Sequence, residues 1–522
     1  MSERPNFLLI ITDQQRADHV GAYGNDLVMT PNIDHLAAAG WRAENFHVAS
    51  PVCMPNRASL LTGRMPSAHG ARANGIPLSL SETTFVDLLR EAGYATALIG
   101  KGHIQNMTGK GPQWPPAGQR LAREARPAWP GRYDQEDLPR WKADAAYDVD
   151  LPFYGFGHVE LTIEHGDDLE GHYRRWLRDT HPEVDRLVGP EQAIPTPEYE
   201  LSRCRQAWRT RVPEECYPTA WIAQRTIAYL EECARGGRGF FIECSFPDPH
   251  HPFTPPGKYW GLCDPKDVAL PRSFHSQAPL PPPVAWFHAE RDAGRAMKHT
   301  PAPFACTERE AREAIALNYG SIANIDAQIG HILAALDRLA LAGNTIVIFT
   351  SDHGDYMGDH QMLLKGPMHY QGIVRAPFIC YDPEQPAGGV SAALTQTTDI
   401  APTILERAGV TPYNGIQGRS LVPLMRGGQP SGREALLIEE EGQRVYGGFP
   451  ERMRTRSLVT DRYRLSIYGG VRWGELYDLA EDPDECVNLW DARPDLRRAL
   501  LAELAHHAFE TADSSPNASG LA

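Results

Sequence analysis

Four short polar clusters, each directly behind an apolar run, carry the residue types best suited to chemistry. "NFLLIIT" is followed by Asp13 and Gln14, and "ATALIG" by Lys101 and His103. "GFFIECSFPDP" leads into His250 and His251, and "TIVIFTS" into Asp352 and His353. Carboxylates, an amide oxygen and one imidazole around a common point suit a hard divalent cation. Lysines beside such a cation would hold an anionic group and neutralise charge that develops on it during transfer. Cys53 adds a fifth feature: it lies in "ASPVCMPNRASLLTG", between Pro51 and Pro55, four residues before Arg57. It has no C-x-x-C partner and no zinc-type histidine spacing beside it. Each residue has an ordinary reading alone. Asp13 would serve as a helix cap, a single lysine as a solvated charge, a single histidine as a structural residue. Four such deliveries from four strands outweigh those readings.

The elements that must position these residues follow from the pattern between them. Each apolar run is short and unbroken, as in strands buried on both faces of a parallel sheet. Helical stretches alternate with them. "TPNIDHLAAAGW" starts near Thr30 or Asn32 and ends at Gly40, and "TTFVDLLREAGY" closes at Gly93. "RTIAYLEECARGG" and "ANIDAQIGHILAALDRLALAGN" precede the third and fourth runs. This alternation predicts an α/β fold with a doubly wound, largely parallel sheet, whose ligands bind outside the carboxyl ends of the strands. Cys53 follows the candidate strand "NFHVASPV" and opens a helix closed by Gly63. It thus faces a helix amino terminus, where N–H groups favour negative charge, with Arg57 on the same helix face. Three readings stand: a small core residue, a low-pKa thiolate nucleophile, or a residue converted into another group. A thiolate is an unusual neighbour for an oxygen-rich cation site.

Residues 1–425 read as the large α/β domain. Within it, 105–213 is rich in Pro, Trp and Arg and weakly periodic, which reads as an insertion capping the sheet edge; Pro271 to Pro303 is a similar surface segment. After the linker "RGGQPSGRE", residues 426–522 read as a smaller antiparallel α+β subdomain, with short alternating strands and a helix from Pro494 to about Ala512. The 522 residues carry a net charge of -15, from 51 basic and 66 acidic side chains. That balance argues against nucleic-acid and membrane-surface partners, and means that an anionic substrate needs a local cluster of cations. The apolar run Phe7 to Ile11 is too short for a signal-peptide core or a membrane span. Nine scattered cysteines suit a reducing cytoplasm better than a disulfide framework. The expectation is a soluble cytoplasmic protein, monomer or oligomer.

The stretch Cys53 to Gly63, "CMPNRASLLTG", resembles the signature of the type I, formylglycine-dependent sulfatases, Cys-x-Pro-x-Arg followed by Thr-Gly. These belong to the alkaline-phosphatase-like superfamily, and the similarity runs on to "ELYDLAEDPDECVNLW". The resemblance implies that a formylglycine-generating or sulfatase-maturing enzyme oxidises Cys53 to formylglycine. One hydroxyl of the hydrated aldehyde then attacks sulfur, giving a covalent sulfo-enzyme, and the second expels sulfate. Asp13, Gln14, Asp352, His353 and residue 53 would hold one metal. The pairs Asp-Gln and Asp-His match the choline-sulfatase and phosphonate monoester hydrolase branches. Ca²⁺ is expected because most ligands are oxygens, with Mn²⁺ the alternative. Arg57 would hold the formylglycine. Lys101 and His103 match Gly-Lys-x-His, the lysine binding sulfate oxygens and the histidine accepting a proton when the ester collapses. The phosphonate monoester hydrolase branch lacks Lys-x-His, so its presence favours a sulfatase. His250 matches His-x-Pro and would touch sulfate or leaving group, with His251 merely adjacent. Lys365 matches the lysine before a Tyr-Glu and Arg-x-Pro pattern, here with Gln371 for the glutamate. Asn74 in "RANGIP" is a candidate substrate contact against a simple turn role. The expected reaction is hydrolysis of a small sulfate monoester. The alternatives are a phosphonate monoester or phosphodiester hydrolase on the same scaffold, and a silent anion- or metal-binding protein with unconverted Cys53.

Overall fold

The computed structural model describes residues 4–110, 128–385, 388–428 and 433–516. In chain order its first strands are β1 (Asn6–Thr12), β2 (Trp41–His47), β3 (Ala95–Lys101), β4 (His158–Ile163), β5 (Glu170–Gly171) and β6 (Phe240–Ser245). There follow β7 (Phe304–Ala305), β8 (Thr345–Ser351), β9 (Met362–Leu363), β10 (Phe378–Tyr381) and β11 (Gly389–Gln396). Nine of these form one sheet in the order β11-β2-β10-β8-β1-β6-β3-β4-β5, while β7 pairs with β9. The run β8-β1-β6-β3-β4 is parallel, and β10 is antiparallel to both its neighbours.

β1 is buried throughout, as its unbroken apolar sequence requires. Phe7, Leu9 and Ile11 join one apolar cluster, and Leu8 and Ile10 the cluster on the other face. Helices complete both layers: Phe85–Glu91 before β3, Pro218–Gly236 before β6 and Glu308–Arg338 before β8. The last of these starts with a reciprocal cap between Thr307 and Glu310, a sequence-local signal that fixes where the chain turns helical. Gly100, just before the end of β3, has φ +110°, and a Cβ there would meet the Ser245 carbonyl oxygen of β6 at 1.9 Å. Gly100→Ala is therefore expected to lower the melting temperature by several degrees and to cut turnover by displacing Lys101. Unchanged melting and turnover would show that β3 and β6 part there without cost.

The segment 105–213 departs from its expected role. Residues 158–163 form β4, which pairs in parallel with β3, and β5 adds the sheet's last strand. The segment thus extends the sheet instead of only capping it. β4 lies near the edge, so its residues alternate between half-buried and buried before the last two, and no unbroken apolar run marks it. Residues 111–127 of the expected cap lie outside the described residues, as do 429–432 of the expected linker. The Pro-rich stretch 271–303 contains the helix Pro282–Asp292, which buries Val284 and Phe287 in the core.

The carboxyl-terminal part is an antiparallel sheet of β12 (Ala435–Glu441), β13 (Arg454–Thr460), β14 (Tyr463–Tyr468) and β15 (Gly474–Asp478), backed by the helix Pro494–Glu510. Leu500 and Leu504 of that helix pack onto Leu437, Leu458, Leu465 and Leu476. Three consecutive acids at the end of β12 clasp the larger sheet domain. Glu439 accepts from the Ser67 N–H (2.8 Å) and hydroxyl (2.9 Å), Glu440 pairs with His369 Nε2 (3.0 Å), and Glu441 with Arg72 Nε (3.2 Å). Tyr370 donates to Glu475 at 3.1 Å and the Gln371 N–H to Glu485 at 2.7 Å. The loop from Lys365 to Gln371 is thereby fixed from outside the large sheet. All nine cysteines are free. Among the described residues, no helix is long and apolar enough to cross a membrane.

Candidate active site

The carboxyl ends of β1, β3, β6 and β8 lie side by side, and the polar residues that follow them meet around Cys53. Cys53 is the first residue of the helix Cys53–Thr62 and only 1% exposed. Asn56 secures the approach to that helix, its side-chain oxygen accepting from the Ala49 N–H at 2.9 Å. Cys53 Sγ lies 3.0 Å from Lys365 Nζ, 3.1 Å from His353 Nε2 and 3.8 Å from Asp13 Oδ1. Burial, reinforced by the Asp13 carboxylate, pushes the thiol above its ordinary pKa despite the two lysines. This burial opposes the low-pKa thiolate left open by the sequence.

Asp13 is fully buried and pairs with Lys101 Nζ. Burial alone would raise its pKa; the ammonium groups of Lys101 and Lys365 outweigh burial and hold it well below the carboxylate range. Asp13, Cys53, Asp352 and His353 bring one ligand atom each to within 4.8 Å of one another, and all four residues are buried. His353 donates from Nδ1 to the Gly354 carbonyl at 2.9 Å, which turns the Nε2 lone pair into the cluster. Burial lowers its pKa to about 4, so the imidazole is neutral. Gln14 joins the cluster through its own N–H, which donates to Asp352 Oδ1 at 3.1 Å, and through Oε1, which accepts from Lys365 Nζ at 3.0 Å. Around Lys365 Nζ stand four acceptors within 3.1 Å: Gln14 Oε1, Cys53 Sγ, His353 Nε2 and His250 Nε2. An ammonium has three hydrogens, so this donor-atom set exceeds one lysine and fits a divalent cation as well.

Arg57 stands beside these residues. Its Nε donates to Asp352 Oδ2 at 2.9 Å and its Nη1 to the Lys101 carbonyl (3.0 Å) and Ser245 Oγ (2.9 Å). Nη2 has no hydrogen-bond partner among the described residues and lies 3.7 Å from Asp13 Oδ2. His103 Nδ1 and His251 Nε2 are likewise buried and unpartnered. Buried polar atoms without a partner are the kind that a polar ligand satisfies. His251, expected as merely adjacent, takes part in the site: its Nδ1 lies 3.2 Å from Gln14 Nε2. Asn74 accepts the Met54 N–H at 3.1 Å, which ties it to the start of the Cys53 helix. Gln371 points elsewhere, with Oε1 3.3 Å from His47 Nε2.

Four further residues escaped sequence reasoning. Asp355 accepts from Gln14 Nε2 and from the N–H groups of Met357 (2.9 Å) and Leu364 (3.0 Å), so it orients the Gln14 amide. Glu136 accepts the N–H groups of His103, Ile104 and Gln105 and shapes the turn after β3. Glu243 of β6 lies near Arg57, and burial pushes its pKa up to about 7. His165, at the end of β4, contacts both Lys101 and His250. Its sequence signal was present: "EHGD" behind a strand repeats the "DHGD" behind β8.

Residues 5–410 match the family described as Sulfatase. The chain belongs to the sulfatase family. Residues 358–509 of this sulfatase also match the carboxyl-terminal region of N-sulphoglucosamine sulphohydrolase, a span that includes the clasping sheet and its helix. An arylsulfatase of Clostridium perfringens is 29% identical over 518 residues, covering 96% of this chain and 94% of the relative. A choline-sulfatase of Rhizobium meliloti is 26% identical over 500 residues, covering 93% and 82%. Among solved structures, the phosphonate monoester hydrolase of Agrobacterium radiobacter superposes with a TM-score of 0.78 at 27% identity, over 99% of this chain and 98% of that one. The sulfatase thus has the alkaline-phosphatase-like fold, and its enzyme class is sulfuric ester hydrolase.

Proposed function

We propose that this sulfatase hydrolyses small sulfate monoesters, converting R–O–SO₃⁻ and water to an alcohol and sulfate at residue 53. The observation that carries the reading is the gathering of Lys365, Lys101 and Arg57 around one buried cysteine, in a chain whose net charge is -15. Such a concentration of positive charge would stabilise a transferring anion. Asp13, Gln14, Asp352 and His353, with residue 53, would hold a divalent cation; Ca²⁺ suits a set in which oxygens predominate. When bound, that cation supplies charge neutralisation and activates oxygen. Formylglycine at residue 53, made by a maturing enzyme, supplies a hydroxyl to attack sulfur and a second one whose loss of a proton releases sulfate.

The chain's own residues do the rest. Arg57 Nη2, left without a partner, would donate to an oxygen on residue 53 or on the ester. Lys101 and Lys365 would orient the anion against the cation. His103 would take a proton from residue 53 at Nδ1: burial and the neighbouring Lys101 hold it well below its ordinary pKa, so it is neutral and able to accept. His250 would face the leaving group, its Nε2 held by Lys365 at 3.1 Å.

A second reading, hydrolysis of phosphonate monoesters or phosphodiesters, draws support from the Asp-Gln and Asp-His ligand pairs and from the likeness to the Agrobacterium enzyme. The two are separated by kcat/KM of matured, metal-loaded protein on an aryl sulfate and an aryl phosphonate monoester with the same leaving group. The expected result is a preference for the sulfate. A phosphonate preference of about tenfold or more, roughly 1.4 kcal/mol in transition-state stabilisation, would reverse the assignment.

A further inference from the structure

β4 is a fifth parallel strand whose carboxyl end opens onto the site, and it delivers His165. The mount is stiff. Glu164 and Gly166 on either side have φ of +80° and +69°, and a Cβ on Gly166 would stand 3.1 Å from Pro252 and 3.3 Å from Thr254. Asp167 then anchors the turn in the interior, accepting from Trp208 Nε1 at 2.9 Å and from the Thr210 hydroxyl. The imidazole lies on the His250 ring, with centroids 3.6 Å apart and planes within 14°. His250 lies in turn on His251 at 4.1 Å. At its edge, His165 Nε2 is 2.5 Å from Lys101 Nζ, and Nδ1 faces Glu164 Oε2 at 3.7 Å.

An ammonium only donates, so His165 Nε2 presents its lone pair to Lys101. Asp13, His165 and His250 also bring ligand atoms within 4.8 Å of one another, which raises a metal as the alternative. Nearly parallel stacked rings direct their lone pairs along separate planes, and these do not converge on one ion. The Lys101 ammonium already takes the Nε2 lone pair. Asp13 alone would draw that ammonium onto its carboxylate. A second acceptor on a fixed ring divides its hydrogens, one to Asp13 and one to His165, and leaves the third to point at the ester.

We propose that His165 is a positioning residue that aims the Lys101 ammonium at the transferring group, its own ring being fixed by the stack on His250. The inference rests on the role given to Lys101 above. Its test is a double-mutant cycle on matured, metal-loaded enzyme with an aryl sulfate: His165→Ala, His165→Gln, Lys101→Ala and the His165→Ala/Lys101→Ala pair. Metal content, aldehyde at residue 53 and melting are measured alongside. His165→Ala is expected to lower kcat/KM about 10- to 100-fold, the range for a hydrogen bond to a charged group. His165→Gln, whose Oε1 replaces the acceptor, should recover to within about fivefold of wild type. In the Lys101→Ala background, the same alanine change should cost less than about threefold. Additive losses in the pair, or a folded glutamine variant no better than alanine, would overturn the proposal. So would an inactive Lys101→Ala beside a fully active His165→Ala. Near-normal turnover in Lys101→Ala would instead overturn the reading of the site, and the proposal with it.

Discussion

Serine in place of Cys53 is expected to trap the enzyme after a single reaction. The side chain keeps its place at the head of the helix, with Lys365 and His353 about it. Its one hydroxyl could still attack sulfur, since the helix terminus and the surrounding cations remain. There is no second hydroxyl to lose a proton and expel sulfate, so a sulfate ester of the serine should accumulate. Intact-mass and peptide analysis should place one SO₃ group on residue 53, and steady-state turnover should fall at least about 1,000-fold, roughly 4 kcal/mol. Protein expressed with a formylglycine-generating system should carry an aldehyde at residue 53 that reacts with hydrazines. A wild-type enzyme fully active with an unmodified Cys53 thiol would refute the conversion.

The second large effect is expected at Asp352. Its carboxylate is fully buried, accepts Arg57 Nε at 2.9 Å and the Gln14 N–H at 3.1 Å, and supplies a ligand atom to the cluster. Asp352→Ala should abolish stoichiometric metal binding and lower kcat/KM at least about 1,000-fold. It also strips Arg57 of its nearest anion and leaves the more distant Asp13, so the loss of stability should stay below the roughly 3–5 kcal/mol of a wholly uncompensated buried charge. Asp352→Asn separates the two effects. It keeps the volume and an acceptor for Arg57, so melting should fall less, while metal affinity should still drop for want of charge. Stoichiometric metal and near-normal turnover in a folded Asp352→Asn variant would remove this residue from the ligand set.

How much could be read from the sequence depended on where each strand lies in the sheet. β1, β3, β6 and β8 are interior and parallel, so they are unbroken apolar runs and the first polar residues behind them mark the ligand edge. Asp13, Lys101, His250 and Asp352 were legible for that reason. β4 carries half-buried positions, so "HVELTI" gave no such signal inside a Pro-rich segment, and His165 was lost with it. Asp355 and Glu136 act on neighbours through tertiary contacts that no local pattern encodes. The carboxyl-terminal strands were visible in their alternation. Their grip was not: Glu439 meets Ser67 across 372 residues of sequence. For Cys53, spacing shows the helix terminus but not the burial that pushes the thiol pKa up.

The strand order also sets a timetable. β1 is made long before its two neighbours in the sheet, β6 and β8. Until residue 351 has been made, β1 has at most one flank covered, and the residues that enclose Cys53, namely Asp352, His353 and Lys365, do not yet exist. About 300 residues separate Cys53 from that point, which at about 5–20 residues per second is roughly 15–60 s of synthesis. Throughout that interval the cysteine is on a nascent chain that cannot close over it. In the completed fold it is 1% exposed. Under the proposed conversion of Cys53, the late arrival of β8 would leave a maturing enzyme its opportunity during translation and end it once the sheet is complete.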